Sequence, residues 1–132
     1  MRAFFAVVVA ALMSVLLVPS ASARESGCSV PDPQGNGVVA LHILGQRGDS
    51  CSVLRMMGQL TPVGPASHTG FYRMFGPNGH IADSETKFWT FEESYRVEVN
   101  QKAFDGSLWC AEFWMKTGDT FTRAADPVCG EF

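Results

Sequence analysis

Three groupings in this sequence carry residue types suited to chemistry or recognition. Arg47-Gly48-Asp49 sets a cation and a carboxylate around a glycine. At a hairpin tip, the Asp of such a tripeptide can bind a metal ion and the Arg an acidic pocket, as in integrin ligands. The plainer reading is an ordinary turn, since Gly and Asp are turn formers and a tripeptide match has little specificity. His80 and Asp83, together with a serine, have the components of a hydrolytic triad. A triad is defined by geometry, however, and no serine here sits in a nucleophile motif. Glu92, Glu93, Glu98 and Glu112 could furnish the acid pair of a glycosidase, yet their alternation suits a solvated strand face. His42 lies inside an apolar strand and is expected to be buried or at a strand edge, while His68 and His80 fall in loops. No His pair has metal-ligand spacing and no C-x-x-C occurs. The sequence therefore predicts no catalytic residues, no metal site and no cofactor.

Two further features suit binding. Trp114 falls on the wet face of its strand, where an indole could stack on a sugar ring or anchor a protein partner. Arg96 is expected beside it across a hairpin, with packing of the two side chains as the plainer role. Trp89 and Trp109 are assigned to the core. The segment Leu60 to His68 (LTPVGPASH) carries two prolines that would stiffen an extended loop, as a substrate-like protease inhibitor requires. A simple connecting loop is the plainer reading.

These residues need strands to position them, and strand signals dominate. Val38 to Leu44 is a nearly continuous apolar run rich in β-branched residues. A turn segment, Gly45 to Ser50, separates it from a second run, Cys51 to Met57, so the three pieces predict a hairpin. Gly58 to Gly70 reads as a loop, Phe71 to Phe75 as a short strand, Gly76 to Gly79 as a turn, and Lys87 to Phe91 as a strand. From Ser94 to Lys116, Tyr95, Val97 and Val99 alternate with polar residues, and Trp109, Ala111, Phe113 and Met115 form a second apolar set. A loop of Phe104, Asp105 and a left-handed Gly106 would pair Val99 with Ala111, Val97 with Phe113 and Tyr95 with Met115. That register sets Glu98 opposite Glu112. Phe121 to Ala124 adds a last strand after a Thr117-Gly118-Asp119 turn. Short strands with Gly and Pro at most joints predict an all-β fold, a small disulfide-stabilised β-sandwich or barrel of antiparallel hairpins.

The first residues indicate where such a domain would work. Arg2, an apolar run from Ala3 to Val18, Pro19 and an Ala21-Ser22-Ala23 site have the order of a secretory signal peptide. Residues 1–23 are read as that signal and 24–132 as a single secreted β domain of about 109 residues, enough for a real core. Export would bring Cys28, Cys51, Cys110 and Cys129 into an oxidising compartment. Four cysteines allow three pairings, and we expect Cys28–Cys51 and Cys110–Cys129, each tying a hairpin to its neighbouring segment. Losing Arg2 leaves 9 basic against 13 acidic residues, a net charge of −4, with no basic run to follow a phosphate backbone. Nucleic acid is therefore not an expected partner. No second long apolar run follows the signal, so membrane insertion is not expected after its removal.

The stretch Gly37-Val-Val-Ala-Leu-His-Ile-Leu, followed by a turn and Cys51-Ser-Val, resembles the first half of small secreted spore-associated proteins of actinobacteria. Tyr95-Arg-Val-Glu-Val, Leu108-Trp-Cys-Ala-Glu-Phe-Trp and Cys129-Gly130 are similar to the second half, whereas Gly58 to Thr90 has no counterpart. The resemblance implies a small exported β protein and supplies no catalytic residues. The expectation is thus an extracellular, non-enzymatic structural or binding protein whose partner is a protein or polysaccharide at the cell surface. A protease inhibitor using Leu60–His68 and a small secreted hydrolase are the alternatives.

Overall fold

The computed structural model describes residues 29–46 and 51–132. Among them there is no helix, and ten antiparallel strands form two sheets with a half-barrel curl. The first sheet has the order β1 (Gln34–Gly35), β2 (Val39–Gln46), β3 (Cys51–Leu60), β7 (Ser94–Ala103). The second is built on two long neighbours, β4 (Ser67–Gly76) and β8 (Leu108–Thr117). The far edge of β4 is shared by β5 (Gly79–Asp83) and β6 (Lys87–Thr90). The far edge of β8 is likewise shared by β9 (Thr120–Arg123) and β10 (Val128–Glu131). The expected all-β disulfide-stabilised architecture is the one observed. The signal-peptide assignment, the RGD tripeptide and Cys28 lie outside the described residues.

The β2–β3 hairpin forms as its apolar runs require, with Val39 opposite Leu60 and Gln46 opposite Ser52. A bulge at Leu54 adds one residue to β3. It explains why Cys51 and Val53 face inward on one phase while Met56, Gly58 and Leu60 do so on the other. A second bulge, in β7, places Asn100 at φ 51, a left-handed conformation that Asn tolerates better than most residues. The supposed loop from Gly58 to Gly70 is mostly strand: Leu60 is buried at the end of β3, and Ser67 and His68 open β4. Only residues 61–66 connect them, as a turn pinned at Thr61 by Val38 and Gly37 and at Ala66 by Phe91. Val63 stands at its tip, 88% exposed.

The expected β7–β8 hairpin is corrected. The turn itself is as read, with Gly106 at φ 79 and the Ser107 N–H donating to the Phe104 carbonyl at 2.9 Å. The two strands nevertheless enter different sheets, β7 beside β3 and β8 beside β4. The C-terminus holds this crossing, because Gly106 N–H donates to the Phe132 carbonyl and Phe132 N–H to that of Ser107. Alternation specifies which side chains must be buried and leaves the neighbouring strand open. Tyr95, Val97 and Val99 do share one core with Trp109, Ala111 and Phe113, approaching it from the other sheet. Glu98 and Glu112 are accordingly not opposite each other.

Tyr72 sits at the centre of that core. Its ring lies 4.9 Å from Phe113, 5.0 Å from Trp89 and 6.1 Å from Tyr95, measured between centroids. Val39, Leu41, Val53, Met56 and Leu60 close it from the first sheet. Fully burying each large side chain contributes about 1.5–3 kcal/mol. Burial also pushes the Tyr72 phenol well above its ordinary value. Trp89 and Trp109 are core residues, as the sequence predicts. His42 is not: its apolar neighbours point inward, and the imidazole is exposed on the outer face of β2. Cys110 and Cys129 face each other across β8 and β10 and form the expected disulfide. Cys51 is also disulfide-bonded.

Candidate ligand-binding face

Strand period two turns Tyr72, Met74, Trp109, Ala111 and Phe113 into the core and sends their neighbours to the outer face of the second sheet. On β4 these outward positions are Thr69, Phe71, Arg73 and Phe75; on β8 they are Cys110, Glu112, Trp114 and Lys116. Phe71 is opposite Trp114, and Arg73 opposite Glu112. Strand β9 continues the rows with Arg123 opposite Trp114 and Phe121 opposite Lys116.

Three aromatic rings meet there. Phe71 and Trp114 are parallel within 6°, their centroids 6.3 Å apart. Phe121, 39% exposed, meets Phe71 edge-on at 5.0 Å. Phe88 (59% exposed) extends the strip from β6, where it lies opposite Thr69. Such arrangements keep large apolar rings at a wet surface without losing their mutual packing.

Charged groups fix these rings. The Arg73 guanidinium lies 5.4 Å from the centroids of both Phe71 and Trp114, a cation–π distance. The same guanidinium donates two hydrogen bonds to Asp83, Nε to Oδ1 at 2.9 Å and Nη2 to Oδ2 at 3.0 Å. Glu112 is 8% exposed. Its Oε2 accepts the Trp114 indole N–H at 2.8 Å, and its Oε1 accepts from Arg123 Nη1 at 3.3 Å. Arg123 also reaches Asp126 at 3.3 Å. The two arginines are thus balanced by Asp83, Glu112 and Asp126, so stacking and hydrogen bonding, more than net charge, would select a ligand.

The hydrogen bonds from Arg73 hold the Asp83 carboxyl below its ordinary value, with His80 adding to the effect, and Asp83 in turn raises Arg73. A carboxylate depressed in the folded state contributes stability above its unfolded value, and the contribution is lost as pH falls through the folded value. Asp83→Asn is therefore expected to be less stable than the parent at neutral pH. The gap should persist down to about pH 4 and close below it. Thermal melts of both proteins across that range check this; a gap independent of pH would contradict it.

The remaining candidate residues are scattered. Arg96 lies in β7 opposite Met57, and its Nε donates to Ser94 Oγ at 3.1 Å. It belongs to the other sheet from Trp114, so the expected Arg96–Trp114 pair is replaced by Arg73, Phe71 and Trp114. His80 Nε2 lies 3.0 Å from Asp83 Oδ1. Ser84, beside Asp83, accepts from the Tyr72 N–H and donates to the Glu85 carbonyl, and does not pair with that imidazole. His68 is in β4, its Nδ1 2.8 Å from the Thr69 carbonyl. The carboxylates also part company: Glu93 lies 3.6 Å from Lys87, Glu98 pairs with Arg55, and Glu112 is held under Trp114. Among the described residues no three or more His, Cys, Asp or Glu side chains are grouped to hold a metal ion.

Sequence reasoning singled out Trp114 and missed Phe71, Arg73 and Phe121. The signal for the first two lies in Phe71-Tyr72-Arg73-Met74-Phe75, where burying Tyr72 and Met74 turns the other three outward. Their meeting with Trp114 depends on β4–β8 pairing, which local sequence does not encode. No family model, curated protein or solved structure matches this chain.

Proposed function

We propose that this protein is an exported, non-enzymatic binding domain that attaches to polysaccharide at the cell surface through the outer face of β4, β8 and β9. The observation that carries this reading is the Phe71–Trp114–Phe121 cluster, partly solvent-exposed and oriented by Arg73 and Glu112. Aromatic faces stack on the C–H faces of sugar rings, while flanking guanidinium and carboxylate groups hydrogen-bond hydroxyls. Mounting the rings on paired strands reduces the side-chain entropy lost on binding. The oxidising compartment suggested by the Cys110–Cys129 disulfide is consistent with action outside the cell.

Co-sedimentation with insoluble peptidoglycan, cellulose and chitin tests the reading. Saturable retention is expected on at least one polymer, weakened roughly tenfold or more by Trp114→Ala, as for an aromatic hot spot. Trp114→Phe should retain part of the affinity. Absence of retention on every polymer, or retention indifferent to Trp114, would contradict the proposal.

A further inference from the structure

Among the described residues, the longest open sheet edge belongs to β7. It is ten residues long and bonded to β3 on one side, with no strand on the other among the described residues. The other outer strands, β1, β5, β6, β9 and β10, have two to five residues each. A long unpaired edge presents backbone donors and acceptors to any strand of matching register. Tyr95, Val97 and Val99 line its inner face and are only partly buried, while Arg96 and Glu98 are exposed on the outer face.

The geometry points to a second copy of this chain as the occupant, paired antiparallel through β7 about a two-fold axis at Val97. In that register Val97 meets its equivalent, Tyr95 meets Val99 of the second copy, and Arg96 meets Glu98 of the second copy at both symmetry-related positions. Apolar side chains then share one face and opposite charges the other. The neighbouring registers fail. Centring on Arg96 or Glu98 sets like charges opposite each other, and a one-residue slip mixes the two faces. The bulge at Asn100 bends the strand just beyond Val99, confining the pairing to the self-complementary stretch. Glu98, already paired with Arg55 on the adjacent β3, would then sit between two guanidinium groups. Joining the copies would continue the first sheet across the axis and make attachment to a polymer bivalent.

Sedimentation velocity over a concentration series, on the purified chain, tests this. A monomer–dimer equilibrium is expected, weakened about tenfold or more by Arg96→Glu and equally by Glu98→Lys, because each replaces two attractions with two repulsions. An equimolar mixture of the two variants should recover the dimer, since the reversed charges then face each other at both positions. Both sites are exposed, and unchanged circular dichroism would confirm that the variants fold. A monomer at every concentration, a dimer that neither substitution weakens, or a mixture as weak as its components would each overturn the proposal.

Discussion

Gly70→Ala is expected to lower stability by about 3 kcal/mol, moving the unfolding midpoint down by more than about 10 °C. Gly70 lies where β4 is flanked on both sides, opposite Met115 of β8 and Lys87 of β6. A Cβ there would collide with the Trp114 carbonyl oxygen and come within 2.9 Å of Phe113 Cζ. The first obstacle is backbone of the central strand pair, which can yield only by parting β4 from β8. The second is a core ring already packed on Tyr72. Urea unfolding measures the effect. Gly35→Ala is a suitable control, because its Cβ would be 3.6 Å from the Val39 carbonyl, an ordinary contact, and should change stability by less than about 0.5 kcal/mol. A loss below about 1 kcal/mol for Gly70→Ala would mean that the β4–β8 spacing is more yielding than described.

The second large effect is expected from the Cys110→Ala/Cys129→Ala pair, which should cost about 3 kcal/mol in the chain-entropy account of disulfides. The bridge joins cysteines 19 residues apart, directly across β8 and β10. The loop it closes contains Glu112, Trp114, Phe121, Arg123 and Asp126, most of the proposed binding face. Losing the bond should therefore loosen β9 and β10 against β8 and also weaken attachment. Denaturant titration of the double variant gives the first quantity and co-sedimentation the second. A change under about 1 kcal/mol would contradict the account. So would attachment unaffected while stability falls, because the loop would then not be holding the face in place.

Much of the architecture was legible in the residues, for identifiable reasons. The β2–β3 hairpin follows from two apolar runs around a turn-rich segment, and the β4–β5 and β8–β9 turns from Pro77-Asn78-Gly79 and Gly118. Those are local signals. The Cys110–Cys129 bond follows from tying a hairpin strand to the segment beside it. Pairing between strands distant in sequence was not legible. Alternation in β7 and β8 matches a hairpin and equally matches two strands in different sheets burying side chains in one core. This ambiguity produced the expected Arg96–Trp114 neighbourhood, whereas the observed partner of Trp114 is Phe71, 43 residues earlier in the chain. The same ambiguity hid Glu112, whose place in an alternating strand suggested a solvated carboxylate. Its burial becomes intelligible once Trp114 and Arg123 are seen to occupy both its oxygens.

The three tryptophans offer the most direct test of the proposed binding face. Trp109 is buried with its indole N–H donated to Ser107 Oγ at 3.1 Å, and Trp89 is buried beneath Lys87. Only Trp114 places its ring on the outer face, with its indole N–H on Glu112. In a ¹⁵N-resolved NMR titration with soluble chitin, cellulose or peptidoglycan oligosaccharides, a binding oligosaccharide is expected to move the Trp114 indole resonance strongly. The backbone signals of Phe71, Arg73 and Phe121 should move with it, and the Trp89 and Trp109 indoles should stay in place. A saturable titration that leaves the Trp114 indole unmoved would contradict the assignment of binding to this face.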